Sequence, residues 1–231
     1  MKIPMSQRLL ACCGYVNKGD RVADVGTDHG YLGIWLLTNG LARGVIASDI
    51  APQPLEAARR NARKFRVDSA MEFYLSDGAK DIPRDFDVMI CAGMGADTII
   101  SILERSSWLR SENYRLILQC QSRRPQLRHW LYGAGYRIRR ETLARDGRFI
   151  YTVMEVSFDP GGSFTPAQAY ISPQLLEDAH PLLPAYYERV VSGLRQSVEG
   201  MSHSGNQRLE EYRGILAELE NMEEQVYGNR R

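Results

Sequence analysis

Short apolar runs alternate with helix-like segments between residues 21 and 158, and this alternation restricts the fold more than any other feature. Runs such as 21–26, 44–50 and 86–95 have the length and composition of buried strands. Segments such as 54–65 between them carry apolar residues at helical spacing. The pattern closes with two strands joined at Asp146-Gly147. We therefore predict a doubly wound α/β domain, whose parallel sheet is covered on both faces and ends in an antiparallel strand.

The composition is that of a folded protein. With 231 residues, of which 44% are hydrophobic, the chain can bury a substantial core. No run of about 18 uncharged apolar residues occurs, and the first residues lack the apolar stretch of a signal peptide. We therefore expect a soluble cytoplasmic protein with no membrane segment. The four cysteines lack the CxxC spacing of zinc sites, so we expect no bound metal.

A second region is predicted after the segment DPGGSF at 159–164, whose Pro-Gly-Gly marks a boundary. The expected division is a Rossmann-like domain at 1–159 and a helical domain at 160–231. In the second domain apolar residues recur in steps of three and four, the period of a coiled coil. Two helices joined by the segment SHSGN are expected to form an antiparallel hairpin, with one charged residue in its seam. The seam positions are Tyr187, Val191, Leu194, Val198, Met201, Leu209, Tyr212, Leu216, Leu219, Glu223 and Val226.

The net charge of +1 conceals an uneven distribution. Residues 1–159 carry 23 basic and 18 acidic side chains, and residues 160–231 carry 6 and 10, which gives +5 and −4. Within the first part, residues 115–148 contain nine arginines and only two carboxylates, Glu141 and Asp146. Because the planar guanidinium suits phosphate, this run is either a nucleic-acid contact or a solvated face of alternating strands.

Three carboxylates are predicted at the carboxyl ends of neighbouring strands, where open α/β sheets bind ligands. Asp24 lies in the first strand, Asp49 ends the second and Asp77 follows the third. Asp49 comes 25 residues after Asp24, about where an acidic residue accepts the hydroxyls of a ribose. A carboxylate one strand later can accept the exocyclic amine of adenine. The sequence therefore predicts an adenosine site.

The loop GTDHG at 26–30 indicates which adenosine compound binds. Its glycines follow G-x-x-x-G rather than the G-x-G-x-x-G of dinucleotide-binding loops, and Asp28 would repel a pyrophosphate. Carboxylates can instead hold an ammonium group, while amides of the loop and helix start hold a carboxylate. S-adenosylmethionine carries both groups, so we expect it as the cofactor.

Five motifs, in order and spacing, resemble the bacterial tRNA (adenine-22 N1)-methyltransferase family of the TrmK type. They are ADVGTDHGYL, ASDIAPQPLEAARRNA, LSDGAKDIP, ICAGMGADTIISIL and LQCQSRRPQLRHWLYGAGYRI. The resemblance is close over the first domain, and the C-terminal hairpin matches in architecture. It implies a Rossmann-like class I methyltransferase sheet with a helical coiled coil. It also implies transfer of a methyl group from S-adenosylmethionine to N1 of an adenine in tRNA, at position 22.

The resemblance assigns cofactor contacts to the strand ends. The first loop borders the methionine part, the second strand end the ribose and the third the adenine. The Gly-Met-Gly loop after the fourth strand faces the transferred methyl. The residues concerned are Asp24, Gly26, Asp28, His29, Gly30, Asp49, Ile50, Asp77, Gly78, Gly93, Met94 and Gly95.

Attack by N1 of adenine needs alignment more than a nucleophilic side chain, and a nearby carboxylate can stabilise the cationic base or accept its proton. Asp28 is the first candidate, followed by His29 and Tyr31. The family reads Ala-Gly-Met-Gly-Gly where this chain has Ala96-Asp97, so Asp97 either caps the next helix or contacts the substrate amine. Other departures, which alter the expected shape of the substrate cleft, are Gly33, Cys120, Ser122 and Arg145.

In folded RNA the Watson-Crick edge of the target is paired, so the enzyme must extrude the base. Basic side chains of the arginine-rich run and the N-terminal segment are expected to hold the surrounding phosphates, with the coiled coil bracing the RNA. They are Arg8, Lys18, Arg21, Arg123, Arg124, Arg128, Arg137, Arg139 and Arg140. We expect a monomer, with a homodimer through the coiled coil as the alternative.

Two other functions share these features. A methyltransferase for a small molecule or a protein would use the same cofactor loops, but its turnover would not depend on Arg123, Arg124 and Arg128. A non-catalytic RNA-binding protein on the same fold would bind RNA without transferring a methyl group.

Overall fold

A seven-stranded mixed sheet forms the centre of the computed structural model, which describes residues 2–204 and 206–228. The strands are β1 (Asp20–Val25), β2 (Ala42–Asp49), β3 (Met71–Leu75), β4 (Val88–Met94), β5 (Arg115–Cys120), β6 (Tyr136–Asp146) and β7 (Phe149–Phe158). Their order is β3-β2-β1-β4-β5-β7-β6. The first five strands are parallel, and β7 runs antiparallel to both β5 and β6. The doubly wound sheet predicted from the sequence is confirmed.

Helices cover both faces of the sheet. They are α1 (Gln7–Cys13), α2 (Tyr31–Thr38), α3 (Pro52–Phe65), α4 (Ala96–Arg105), α5 (Arg124–Gly133), α6 (Pro173–Asp178), α7 (Leu183–Ser204), α8 (Leu209–Asn221) and α9 (Glu223–Gly228). Buried side chains of α1 and α2 pack with one face of the strands, and those of α4 and α5 with the other. Within the described ranges, no helix has the length and apolar character needed to span a membrane.

Burial explains why the central strands read as unbroken apolar runs. In β4, Met89 and Ile90 are both fully buried, although they point to opposite faces of the sheet and belong to different hydrophobic clusters. Helix α3 lies at the surface and buries only one stripe, which contains Leu55, Ala58 and Ala62. The strands therefore lack the polar alternation of a half-exposed sheet, while the helix keeps its 3.6-residue period.

The β6–β7 hairpin extends past the rest of the sheet. Cys120, the last residue of β5, lies opposite Thr152, whereas the hairpin closes three residues further on, where Asp146 pairs with Phe149. Three residues of strand span about 10 Å. The hairpin tip therefore projects from the edge at which the parallel strands end.

The helices after residue 160 share a hydrophobic cluster with this hairpin. Leu143 and Ile150 of β6 and β7 pack with Tyr186 and Leu194 of α7 and Leu219 of α8. The two predicted domains are thus joined by a common core.

The two long C-terminal helices lie antiparallel. Arg195 forms an ion pair with Glu220 at 2.8 Å, while Glu188, one heptad earlier, accepts a hydrogen bond from Tyr227, one heptad later. Of the predicted seam, the residues that are buried are Tyr187, Val191, Leu194, Leu219 and Val226. Ile215 is buried although it was not assigned to the seam. The helix is interrupted at Met222, between α8 and α9, and the predicted charged seam residue Glu223 is exposed. The helices are confirmed, the coiled-coil packing stays a prediction, and Gly205 of the SHSGN segment lies outside the described residues.

A buried ion pair corrects one prediction. Arg128, expected to hold RNA phosphates, is completely buried and pairs with the equally buried Glu141 at 2.5 Å. It also donates to the carbonyl of Ala169, and Ser172 donates to Glu141. Arg128 therefore links α5 and β6 to the segment before α6. The charge count along the sequence included Glu141 but did not show that α5 and β6 bring it against Arg128.

Candidate functional site

The carboxyl ends of β1 and β4 and helix α1 enclose a cavity of about 240 Å³. It lies at the point of the sheet where the strand order reverses, since β1 has β2 on one side and β4 on the other. The residues that line it are Arg8, Leu9, Asp24, Gly26, Thr27, Asp28, His29, Tyr31, Leu32, Ala92, Gly93, Met94 and Gln121. Six of the predicted cofactor residues and all three leading catalytic candidates meet here.

Asp24 is the buried carboxylate of the cavity. Its Oδ2 accepts a hydrogen bond of 2.7 Å from the hydroxyl of Thr27, and only 4% of the residue is exposed. Desolvation by burial raises the pKa of Asp24 to about 6, and the hydrogen bond from Thr27 opposes this rise. A cationic ligand group placed in the cavity would favour the ionised form.

The loop after β1 is shaped by close backbone approach. Its amides at Gly26 and Thr27 both donate to the carbonyl of Ser48, which ties the loop to the end of β2. Gly26 has φ of +74°, and a Cβ atom there would lie 2.2 Å from Cε of Met94. The glycine therefore keeps the floor of the cavity open between the first and fourth strands.

Asp28, His29 and Tyr31 lie at the mouth of the cavity. Asp28 has φ of +51°, and its amide donates to Oδ2 of Asp49 at 3.2 Å. Its carboxylate and the ring of His29 are mostly exposed and lie 3.7 Å apart. The rings of His29 and Tyr31 are 5.8 Å apart. Each of the three side chains is accessible to a ligand, and their catalytic roles stay predictions.

The ends of β2 and β3 follow next to β1 along the same edge of the sheet, outside the cavity lining. Both oxygens of Asp49 accept backbone amides, from Asp28 and Ala51, which orients the carboxylate. Ile50 and Leu75 are exposed to 68% and 59%, the highest values among large hydrophobic side chains of the described chain. Such side chains beside a fixed carboxylate suit the flat apolar faces of an adenosine. Leu75 was missed by sequence reasoning, although its position at the last residue of β3 could have indicated it.

Asp77 and Gly78 follow β3 but do not line the cavity. Both oxygens of Asp77 are held by the guanidinium of Arg105 at the end of α4, at 2.5 and 3.1 Å. An adenine amine at this position would share the carboxylate with Arg105. Gly95, the N-cap of α4, also lies outside the cavity lining.

Asp97 bridges two helices. Its carboxylate accepts hydrogen bonds from Arg123 at 3.0 Å and from Gln126 at 2.9 Å, both from the start of α5. This connects the first turn of α4 with the loop after β5. Since 65% of its side chain is exposed, Asp97 remains accessible from the solvent side.

Arg8 lines the cavity from α1, which packs on one face of the sheet. Its Nη1 donates to Oε1 of the buried Gln119 at 3.0 Å, the same oxygen that accepts the amide of Gly93. Its Nε lies 3.3 Å from Asp146 at the hairpin tip. Arg8 thus connects the loop after β4 with the projecting hairpin.

The other predicted RNA contacts are divided between the two edges of the sheet. Arg123 and Arg124 lie at the cavity edge, next to the loop after β5. Towards the opposite edge lie Arg21, Arg137, Arg139 and Arg140. Of these, the arginines engaged by carboxylates are Arg21 with Glu72 and Asp85, Arg139 with Asp159, and Arg140 with Glu155. Lys18 is exposed just before β1.

The donor set fits an adenosine compound with an ammonium group. The cavity holds the buried carboxylate of Asp24, whose pKa is raised, and the exposed carboxylate of Asp28. At the end of the adjacent strand β2, backbone amides orient the carboxylate of Asp49. Among the described residues no group of histidine, cysteine and carboxylate side chains could hold a metal ion.

Sequence comparison identifies related proteins. Residues 5–154 match a family of methyltransferase domains. The tRNA (adenine(22)-N(1))-methyltransferase of Bacillus subtilis (strain 168) is 31% identical over 154 residues, which are 66% of this chain and 65% of that protein. This alignment spans slightly less than two thirds of the relative.

Solved structures resemble the whole chain. The B. subtilis m1A22 tRNA methyltransferase TrmK has a TM-score of 0.78 at 26% identity, covering 97% of this chain and 98% of that one. A Streptococcus pneumoniae protein solved in complex with S-adenosyl-L-methionine has a TM-score of 0.76 at 25% identity, covering 97% and 100%. The resemblance to the TrmK type is thereby confirmed.

The matched residues extend from before α1 to within β7, so they include the parallel strands, the cavity and the first loop. On this match, the chain belongs to the methyltransferase-domain family, and its relatives include tRNA methyltransferases of the TrmK type.

Proposed function

We propose that this protein transfers a methyl group from S-adenosylmethionine to N1 of an adenine in tRNA, with adenine 22 as the target. The observation that carries the proposal is the cavity at the strand switch, where the buried Asp24 and the exposed Asp28 flank a loop suited to an amino-acid tail. The named relatives support the choice of tRNA and of the target position.

In this proposal the residues of the chain bind and orient the cofactor and the target base, and none of them acts as a nucleophile. When bound, S-adenosylmethionine supplies the methyl group on its sulfonium. Asp24 and Asp28 would hold the ammonium, Asp49 the ribose, and Ile50 with Leu75 the faces of the adenine ring. The Gly93–Gly95 loop borders the remaining opening, through which the target base would enter. Alignment of the N1 lone pair with the methyl group then lowers the barrier without a nucleophilic side chain.

The methylated base carries a positive charge that the site has to accommodate. Methylation of N1 leaves the adenine cationic, and a carboxylate near the base stabilises that charge or accepts a proton from its amino group. Asp28 is the first candidate for this role, and His29, Tyr31 and Asp97 follow. Arg8, Arg123 and Arg124 lie at the same edge and would contact the RNA phosphates.

The region 160–231 is proposed as a helical domain that shares a core with the β6–β7 hairpin and braces the tRNA beside the sheet. Its net charge of −4 opposes general attraction to RNA, so its contacts would rely on shape and on individual arginines. We propose a monomer as the active form.

The test is to incubate the protein with isotopically labelled S-adenosylmethionine and unmodified tRNA transcripts, and to identify the methylated nucleoside by mass spectrometry. We expect label in 1-methyladenosine, lost when adenine 22 is replaced. Asp28→Asn tests the ammonium contact, because it keeps the size of the side chain and removes its charge, and it should weaken binding of S-adenosylmethionine. Cofactor binding without label in RNA would contradict the proposal, and would favour a different acceptor or a binding protein.

A further inference from the structure

Free positive charge in the arginine-rich run is concentrated at the tip of the β6–β7 hairpin. The arginines of the run that have carboxylate partners are Arg115, Arg123, Arg128, Arg139 and Arg140. Arg124 and Arg137 donate to backbone carbonyls. Arg145 and Arg148, on either side of the turn, are exposed and have no carboxylate partner in the part of the chain that the structure describes.

The same tip exposes an aromatic ring. Phe149 is 46% exposed, and the guanidinium of Arg148 lies 4.9 Å from its ring centre. The ring of Tyr151 lies 6.1 Å away on the same face of the strand. Among the described residues, the other two exposed large hydrophobic side chains are Ile50 and Leu75, at the ends of β2 and β3 where we propose that the adenosine binds. Phe149 is therefore an exposed aromatic side chain that the proposed cofactor site does not explain.

The position of Phe149 relates it to the reaction cavity. Asp146 lies directly opposite Phe149, so their Cβ atoms are about 5 Å apart and on the same face. Asp146 in turn pairs with Arg8, which lines the cavity. Phe149 itself is not part of the cavity lining. Phe149 therefore lies beside the cavity, and Asp146 separates it from the lining residue Arg8.

We infer that the hairpin tip is a nucleobase-stacking site, at which Phe149 contacts the base next to the extruded adenine. Extrusion exposes the face of a neighbouring base, and an aromatic side chain can cover that face. Arg148 and Arg145 hold the adjoining phosphates, since neither guanidinium group is paired with a carboxylate of the described residues. The inference rests on the proposed tRNA substrate and adds the residues that stabilise the extruded state.

The first experiment measures tRNA affinity of Phe149→Ala and Phe149→Tyr by filter binding, together with kcat/KM for methyl transfer. We expect Phe149→Ala to weaken tRNA binding roughly 10-fold, as is usual for loss of one base–aromatic contact, and Phe149→Tyr to stay within about twofold of the wild type. Affinity for S-adenosylmethionine and the melting temperature should not change, because Phe149 lies outside the cavity and is half exposed.

The second experiment asks whether the partner is a base. The same proteins are titrated with transcripts that lack the base on the 5′ or the 3′ side of the target. The penalty of Phe149→Ala should vanish on one of these transcripts. A penalty that persists on both, or an unchanged affinity on intact tRNA, would overturn the inference. If Phe149 instead mediates contact between two copies, sedimentation would show a wild-type dimer and a monomeric variant, which also overturns it.

A third variant keeps the test independent of Phe149. Arg148→Ala should reduce the slope of log K against log salt by about one, while Arg63→Ala, which removes an exposed arginine on α3, should leave the slope unchanged. Equal slopes for both variants would contradict the phosphate contact. Loss of the proposed function is recognised separately, because wild-type protein would then not methylate tRNA at all.

Discussion

At the scale of single residues, the burial of Asp24 makes its ionisation cost free energy, and ligand binding can offset this cost. Its carboxyl group is buried, and burial raises its pKa from 3.8 to about 6. Ionisation in the folded chain is therefore unfavourable relative to the unfolded chain, by about 3 kcal/mol at neutral pH for a shift of this size. A ligand that brings an ammonium group to Asp24 offsets this cost, so part of the binding energy depends on the burial itself.

The raised pKa of Asp24 predicts opposite pH dependences for stability and for binding. Because the folded pKa lies above the unfolded value, the contribution of Asp24 to stability falls as pH rises from about 4 to about 6. Affinity for S-adenosylmethionine should instead fall as pH drops below 6, since the protonated carboxyl cannot hold the ammonium. Asp24→Asn should melt a few degrees above the wild type at pH 8, and by about half that margin at pH 5, which lies midway between the two pKa values. Calorimetric titration and thermal melts from pH 5 to 8 measure both effects; a pH-independent affinity would contradict the assigned contact.

A second residue-scale prediction concerns Gly26 and the floor of the cavity. Gly26→Ala should weaken cofactor binding, because the added Cβ would lie 2.2 Å from Cε of Met94 and this side chain, which lines the cavity, would have to move. Gly40→Ala is the matched control, since it has a similar φ of +65° but no atom within 4 Å. Both changes strain the backbone, and only the first should affect affinity in a titration. Equal effects of the two variants would attribute the loss to strain.

At the scale of elements, the Arg128–Glu141 pair holds α5 and β6 to the segment before α6. Burial of both charges is costly, and the hydrogen bonds from Arg128 to Ala169 and from Ser172 to Glu141 satisfy the remaining groups. The pair therefore fixes an arrangement of elements more than it adds net stability.

Removing one member of this pair should lower the free energy of unfolding far more than removing both. Arg128→Met should lower the free energy of unfolding by about 3–5 kcal/mol, because it leaves Glu141 buried without a counter-charge. The double variant Arg128→Met/Glu141→Leu should recover much of the loss. Urea unfolding followed by circular dichroism measures both. If the double variant is as unstable as the single one, the uncompensated charge is not the cause.

At the scale of the whole molecule, tertiary ion pairs neutralise several arginines of the basic run 115–148 with carboxylates that lie outside it in the sequence. Arg115 illustrates this, since one of its partners, Asp20, is 95 residues away. Glu155 lies between Arg115 and Arg140 and its pKa is lowered, because hydrogen bonds and charges of both arginines outweigh its partial burial. Within residues 115–148, the exposed arginines without a carboxylate partner among the described residues are Arg145 and Arg148, at the edge that holds the cavity.

This distribution predicts that arginines at the far edge contribute little to tRNA binding. Arg139→Ala and Arg140→Ala should each change tRNA affinity less than about threefold at physiological salt, because both side chains lie towards the edge opposite the cavity and are engaged by carboxylates there. Arg8→Ala should weaken binding more strongly, since Arg8 lies at the cavity and contacts the hairpin tip. Filter binding at two salt concentrations compares them. A large loss for Arg139→Ala would mean that the RNA reaches the opposite edge of the sheet.

The amino-acid sequence by itself determined the order of strands and helices, the strand-end carboxylates and the ligand loop. These features follow from apolar periodicity and from residues a few positions apart, so they can be predicted from short segments of the sequence. Only the tertiary structure decided which arginines remain free, that Arg105 holds Asp77, that Asp97 joins α4 to α5, and that the C-terminal helices share a core with the hairpin. The physical reason is that ion pairs and burial depend on partners brought together by the sheet order, whose distances along the chain leave no periodic signal.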